Sequence, residues 1–244
     1  GQLVLTGMTT GLEGESFRML QTNLQFLNAD DSLRVVVVSS SQSGEGKSTV
    51  AANLSLAVAE LGKRVLLVDA DMRKPAQHQI WRQDNREGLS NVLSGQCSDE
   101  SVTIEIQPNL FLLTAGVVPP NPVVLIDSIQ MSNLIDEWSD NYDLVIIDAP
   151  PLTVAADAAI LGTQAGGLVF VLRPGVADRE AVEYAQEILT QSKLKVLGMV
   201  LNGVDLDKQS RYNHYYYSAA QAAKGDEGTV TSRLLSGITT NRDR

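Results

Sequence analysis

The segment Ser41-Gln42-Ser43-Gly44-Glu45-Gly46-Lys47-Ser48-Thr49 brings glycines, a lysine and hydroxyls together at the spacing a phosphate chain requires. Glycines let successive backbone N–H groups turn inward on phosphate oxygens, and the N-terminus of a following helix adds partial positive charge. Lys47 reaches the β and γ oxygens, and the Ser48 hydroxyl is a ligand for Mg²⁺. ATP with Mg²⁺ is therefore the expected cofactor, held by Ser43, Gly44, Glu45, Gly46, Lys47, Ser48 and Thr49. One departure matters: the pattern G-x-x-x-x-G-K-[ST] opens on glycine, and Ser41 stands there instead.

Two other segments supply carboxylates, Val68-Asp69-Ala70-Asp71 and Ile147-Asp148-Ala149, each following an apolar run. In open α/β sheets, ligands bind beyond the carboxyl ends of the strands, so Asp69, Asp71 and Asp148 are expected to converge on Mg²⁺ and the γ-phosphate. A single Asp after a strand is a turn residue or a helix cap. Several beside a phosphate loop point to metal and base chemistry, with Lys47, Asp69, Asp71 and Asp148 catalytic and Ser48, Asp71 and Asp148 around the metal. Asp157 is expected to be a cap or a structural hydrogen-bonding group. Four of the six tyrosines, Tyr212, Tyr215, Tyr216 and Tyr217, crowd into one short stretch. Two would read as an aromatic edge strand or a sticky tail. Four beside an ATP site read as phosphoacceptors, with His214 a spacer.

These residues need a scaffold, and the apolar pattern supplies it. Val35–Val38, Val65–Val68, Leu110–Leu113, Leu144–Ile147, Leu168–Leu172 and Val196–Leu201 are short runs suited to strands buried on both faces. Val50, Leu54, Ala57, Val58 and Leu61 form a helical stripe before Gly62, a C-terminal stop. Pro119, Pro120 and Pro122 lead into a helix expected over 123–138, and Asp178 caps one expected to run to about Ser192. Strand, glycine turn and helix thus succeed one another around the phosphate loop. The fold class is α/β, a P-loop NTPase-like, mainly parallel sheet with helices on both faces. Phe17, Leu20, Leu24 and Leu27 mark an amphipathic arm, and beyond Asn202 the apolar period is lost. That arm packs by default on its own domain, with a neighbour as the alternative, and the expected division is an N-terminal arm with a helical segment (1–33), a nucleotide-binding domain (34–204) and a flexible tail with the tyrosines (205–244).

With 244 residues and 43% hydrophobic content the chain can build one large core. A net charge of −10, with no basic block before the end, excludes nucleic acid as the main partner. Cys97 is the only cysteine, which excludes an intramolecular disulfide, a Cys-only zinc site and an iron–sulfur cluster within one chain, and suits a reducing cytosol. No run approaches the roughly 18 apolar residues of a spanning helix, and the first ten residues lack a secretory signal. The chain is expected to be soluble as given. The opening Gly1-Gln2 reads as the start of an excised piece whose parent carries membrane segments elsewhere.

In combination, these segments resemble the bacterial tyrosine kinases (BY-kinases), autophosphorylating ATPases that accompany capsule and exopolysaccharide export. The resemblance runs from about Glu15 to Tyr217. It rests on the 41–49 loop, on Asp69-Ala70-Asp71-Met72-Arg73-Lys74-Pro75, on Asp148, and on Pro119-Pro120-Asn121-Pro122, Gly198–Val204 and the tyrosines. It implies phosphorylation of the cluster between subunits, Asp69 as the base and Asn202 at the adenine. Glu15 and Arg18 match the family's E-x-x-R-x-x-R motif, with Gln21 in place of the second Arg. That motif implies a homo-oligomeric ring, commonly an octamer. Further implied partners are a membrane-spanning activator, on the parent chain or separate, a polysaccharide export machinery and an opposing phosphotyrosine phosphatase. The implied location is cytoplasmic, at the inner face of the bacterial plasma membrane. The wider relatives, septum-placing and plasmid-partitioning ATPases, carry a signature Lys where this chain has Gln42, which disfavours a symmetric nucleotide-sandwich dimer. Two rival functions remain: a switch ATPase of that kind, and a non-catalytic ATP-binding assembly module.

Overall fold

Runs of valine, isoleucine and leucine without polar interruption bury both faces of a strand, so their sheet must be covered on both sides. The computed structural model describes residues 12–27 and 33–204, and the runs form the strands expected of them. These are β1 (Val35–Ser40), β2 (Val65–Asp69), β4 (Leu110–Leu113), β5 (Leu144–Asp148), β6 (Gly167–Leu172) and β7 (Val196–Leu201), joined by β3 (Ile104–Gln107). The order is β3-β4-β2-β5-β1-β6-β7, parallel except for the β3–β4 pair. β3 lies outside the six expected runs. It is an exposed edge strand whose two isoleucines alternate with polar residues, and its pairing slips at a bulge between Glu105 and Gln107.

Alternation along the strands divides the interior into two layers. Val36, Val38, Leu67 and Ile146 face α1 (Leu12–Leu27) and α2 (Lys47–Ala59). Val37, Val68, Ile147 and Phe170 face the opposite layer. That layer contains α4 (Leu89–Leu93), α6 (Pro122–Ile126), α7 (Ile129–Asn141), α8 (Asp157–Gln164) and α9 (Arg179–Gln191). Two short helices, α3 (Gln77–Trp81) and α5 (Asp99–Val102), complete the described set.

Local chemistry accounts for where the helices begin and end. α2 stops at Glu60, and Gly62 takes φ 79°, the left-handed conformation that a helix end favours in glycine. The single helix expected over 123–138 is two, because Ser128 breaks it. Its Oγ accepts the Met131 N–H at 3.2 Å, starting α7, and donates to the Leu125 carbonyl at 2.6 Å, closing α6. Asp178 caps α9, accepting the Glu180 N–H at 3.2 Å.

α1 packs on α2 and buries Leu24, with Phe17 and Leu20 partly buried, whereas Leu27 is exposed. Glu15 and Arg18 form an exposed i,i+3 pair at 3.4 Å, while Gln21 is buried in its own chain and donates to Gln25 at 2.9 Å. No helix among the described residues is long and apolar enough to cross a membrane. The 205–244 segment and the four clustered tyrosines lie outside the described residues.

Candidate active site

β1 sits between β5 and β6, and the chain leaves it for β2 on one side before returning to β6 and β7 on the other. Such a reversal opens a crevice at the carboxyl ends of the strands, and the 41–46 loop occupies it. Gly44 and Gly46 take φ 94° and 91°, a left-handed conformation that glycine adopts without strain. Gly46 is the N-cap of α2, and a Cβ there would overlap the Asn202 side-chain amide.

Glu45, expected among the residues that bind the cofactor, turns its side chain back into the loop. Its carboxylate is fully buried and accepts from the Ser41 hydroxyl at 2.8 Å, the Gln42 N–H at 2.7 Å and the Arg173 N–H at 3.4 Å. The side chain therefore braces the loop from within, leaving only its backbone for a phosphate. The same contact explains Ser41 at the position where the pattern has glycine, because its hydroxyl ties the start of the loop to the brace. Gln42 bonds within its own chain, donating to the Val176 carbonyl at 2.7 Å. The Asn202 side-chain amide donates to the Glu45 carbonyl at 2.9 Å, joining the end of β7 to the loop. Ser43 and Gly44 are exposed at the tip, and Ser48 and Thr49 are half-buried in the first turn of α2.

The charged centre lies below the loop. Lys47 Nζ is 2.8 Å from Asp71, 3.3 Å from Asp148 and 3.2 Å from the Ser48 hydroxyl. Burial alone would lower the affinity of Lys47 for its proton, but the Asp148 and Asp71 charges outweigh it and raise its pKa well above the ordinary value. Asp69 and Asp148 are direct register partners on β2 and β5. Asp69 is pushed up to about 8, first by burial and then by the Asp148 charge; the Gln77 and Ala76 N–H groups and Lys47 pull the other way. Its carboxylate accepts N–H bonds from Asp71 at 3.2 Å and from Ala76 and Gln77 at 2.9 Å each. It thus organises the turn after β2.

Lys47, Ser48, Asp69, Asp71, Asp148 and Asn202 are therefore gathered around one crevice, whereas Glu15 and Arg18 sit apart on α1. Asp157 is buried in the first turn of α8 and pairs with Arg73 at 3.2 Å. Sequence reasoning missed Gln77, whose amide donates to Asp148 at 2.8 Å and to the Ser48 carbonyl at 3.0 Å. Its only sequence signal was proximity to the Asp-x-Asp segment. Among the described residues no group of three or more His, Cys, Asp or Glu side chains could hold a metal ion alone. Mg²⁺ binds through one or two protein groups together with substrate phosphates. The Ser48 hydroxyl and nearby carboxylates fit that role.

Comparison with known proteins agrees with this geometry. The family model for an AAA domain matches residues 33–172. The chain is 42% identical over 205 residues to tyrosine-protein kinase YwqD of Bacillus subtilis (strain 168), covering 84% of this chain and 86% of the relative. The kinase domain of the Escherichia coli tyrosine kinase ETK superposes with a TM-score of 0.79 at 30% identity, covering 83% of this chain and 80% of that one. The septum site-determining protein MinD of Pyrococcus horikoshii OT3, complexed with Mg-ADP, superposes with a TM-score of 0.59 at 27% identity, covering 69% and 70%. A nucleotide loop, a lysine held by two strand-end carboxylates, and identity of this extent across nearly the whole of a named kinase lead to one conclusion: this chain belongs to the bacterial tyrosine-protein kinases.

Proposed function

We propose that this site transfers the γ-phosphoryl group of ATP to Tyr212, Tyr215, Tyr216 and Tyr217 of a neighbouring subunit, and so regulates synthesis or export of a capsule or exopolysaccharide. The observation that carries the reading is the Lys47 ammonium between Asp71 and Asp148, beside the Ser48 hydroxyl and at the end of the glycine loop that opens α2. Bound Mg²⁺ would neutralise charge on the phosphates. Lys47 and the amides of Ser43 to Thr49 bind the phosphates, Ser48 would hold the metal with water-mediated help from Asp71 or Asp148, and Asn202 borders the adenine.

In the transfer, the phenolic oxygen forms a bond to the γ-phosphorus while the bond to the β–γ bridging oxygen breaks, releasing ADP. The phenolic proton passes to a carboxylate, because free tyrosine with a pKa near 10 is a weak nucleophile at neutral pH. Asp69, its pKa raised to about 8, fills that role through the fraction that is ionised near neutral pH, where its affinity for a proton exceeds that of an ordinary carboxylate. Its complete burial means that the incoming segment must displace part of 70–77 to reach it.

Subunits meet through α1, where Glu15 and Arg18 exchange an exposed intrahelical pair, worth only a few tenths of a kcal/mol, for partners on a neighbour in a ring. Gln21, buried at home, contributes no third charged contact. The arm (1–33), the nucleotide-binding domain (34–204) and the tyrosine-bearing tail (205–244) then divide the work of assembly, catalysis and acceptance. A membrane-spanning activator, the export machinery and an opposing phosphotyrosine phosphatase complete the system at the cytoplasmic face of the plasma membrane.

The test is residue-resolved mass spectrometry after phosphatase treatment and incubation with MgATP, on the parent and on Lys47→Met. Phosphate on Tyr212 to Tyr217 in the parent and none in the variant is the expected result. ATP hydrolysis without phosphotyrosine in the parent would favour the switch ATPase.

A further inference from the structure

Gln77, the first residue of α3, is fully buried, and its two ends are in different situations. Its Nε2 donates to Asp148 Oδ2 at 2.8 Å and to the Ser48 carbonyl at 3.0 Å. Its backbone N–H donates to Asp69 at 2.9 Å. The amide cannot be turned over, because Oε1 would then face two acceptors. In the observed orientation Oε1 is buried and has no hydrogen-bond partner. Buried acceptors of this kind are rare in folded proteins and are usually satisfied by water or a ligand.

The residues that Gln77 touches give its amide a meaning. Asp148 uses its other oxygen, Oδ1, toward Lys47 at 3.3 Å, so Gln77 and Lys47 hold the carboxylate from two sides. The Ser48 carbonyl belongs to the residue whose hydroxyl faces the metal. One amide thus ties α3, β5 and the first turn of α2 together at the point where carboxylate and hydroxyl must agree in position.

We infer that Gln77 is a positioning residue for Mg²⁺-nucleotide: its Nε2 orients the Asp148 carboxylate and ties it to the Ser48 backbone. The inference rests on the Mg·ATP reading above. Hydrogen-bonding groups one step removed from a metal are typically worth about 10- to 100-fold in metal affinity, which sets the expected size of the effect.

The experiment measures fluorescent-ADP affinity in Mg²⁺ and in EDTA, thermal melting, and kcat and KM for tyrosine phosphorylation. It compares the parent with Gln77→Leu and with the unbranched Gln77→Met. In the parent, Mg²⁺ should tighten ADP. In either folded variant, affinity in EDTA should stay within about twofold while the Mg²⁺-dependent gain falls about tenfold or more, and kcat should fall with KM for the tyrosine substrate little changed. A folded variant that keeps the parent's full Mg²⁺ gain, or one that loses affinity equally in EDTA and Mg²⁺, would overturn the inference. So would failure of both variants to fold, which would assign Gln77 to stability alone. A parent with no Mg²⁺ gain would sink the Mg·ATP reading itself and the inference with it.

Discussion

Asp69 shows how strongly one side chain can be set by its neighbours. It lies opposite Asp148 across two central strands, and burial pushes its pKa from 3.8 to about 8. Between those values the folded protein keeps a proton that the unfolded chain has released. Its contribution to stability is therefore full below the unfolded value and is lost as pH rises toward the folded one. Asp69→Asn removes this dependence. In EDTA and without nucleotide, the melting temperature of the parent minus that of Asp69→Asn should fall steadily from about pH 5 to about pH 8; a flat difference would count against the shift. The lysine and carboxylates of this site were legible because motif chemistry demands those residue types at strand ends. Glu45 and Gln77 were not legible as they stand. Whether a carboxylate points into a site or braces a loop from beneath depends on a rotamer and on Ser41, and Gln77 reaches Asp148 across a separation in sequence that only folding closes.

At the scale of elements, the turn after β2 is held to α8 by the Arg73–Asp157 pair. Asp157 is fully buried, while the Arg73 side chain is 37% exposed, so solvent replaces part of what the guanidinium provides. Arg73→Ala should destabilise the protein by about 1–2 kcal/mol, less than the roughly 3–5 kcal/mol seen when a wholly buried pair is broken. Urea unfolding of the parent, Arg73→Ala and Arg73→Ala/Asp157→Asn would measure it. The double variant should recover part of the loss, and equal stability of all three would show that the pair contributes nothing. Strand positions were readable because Val35–Val38 and its counterparts bury both faces and leave no ambiguity of period. The junction at Asp127-Ser128 was hidden, because a serine within an apolar period reads as a polar face until its hydroxyl is seen capping the next helix. β3 escaped for the opposite reason, since an exposed edge strand has little apolar signal.

For the whole molecule, a chain that already carries a net charge of −10 would add nearly two further negative charges with each phosphotyrosine. On the proposed ring this charge accumulates where subunits exchange their tails, and repulsion should release them. The dephosphorylated protein should therefore sediment as a larger assembly than the phosphorylated one; identical sedimentation before and after phosphatase treatment would refute the coupling. The Gln42–Val176 bond ties the start of the phosphate loop within its own subunit. Such an assembly must also come apart cleanly, and here the bulge between Glu105 and Gln107 acquires a second meaning. Copies held side by side are under constant pressure to zip their sheets together, a contact that phosphate charge elsewhere could not undo. β3 offers a neighbour four residues with a broken register and an exposed glutamate, too short and too irregular a template for such a seam. On the proposed ring, such crowding would stay reversible.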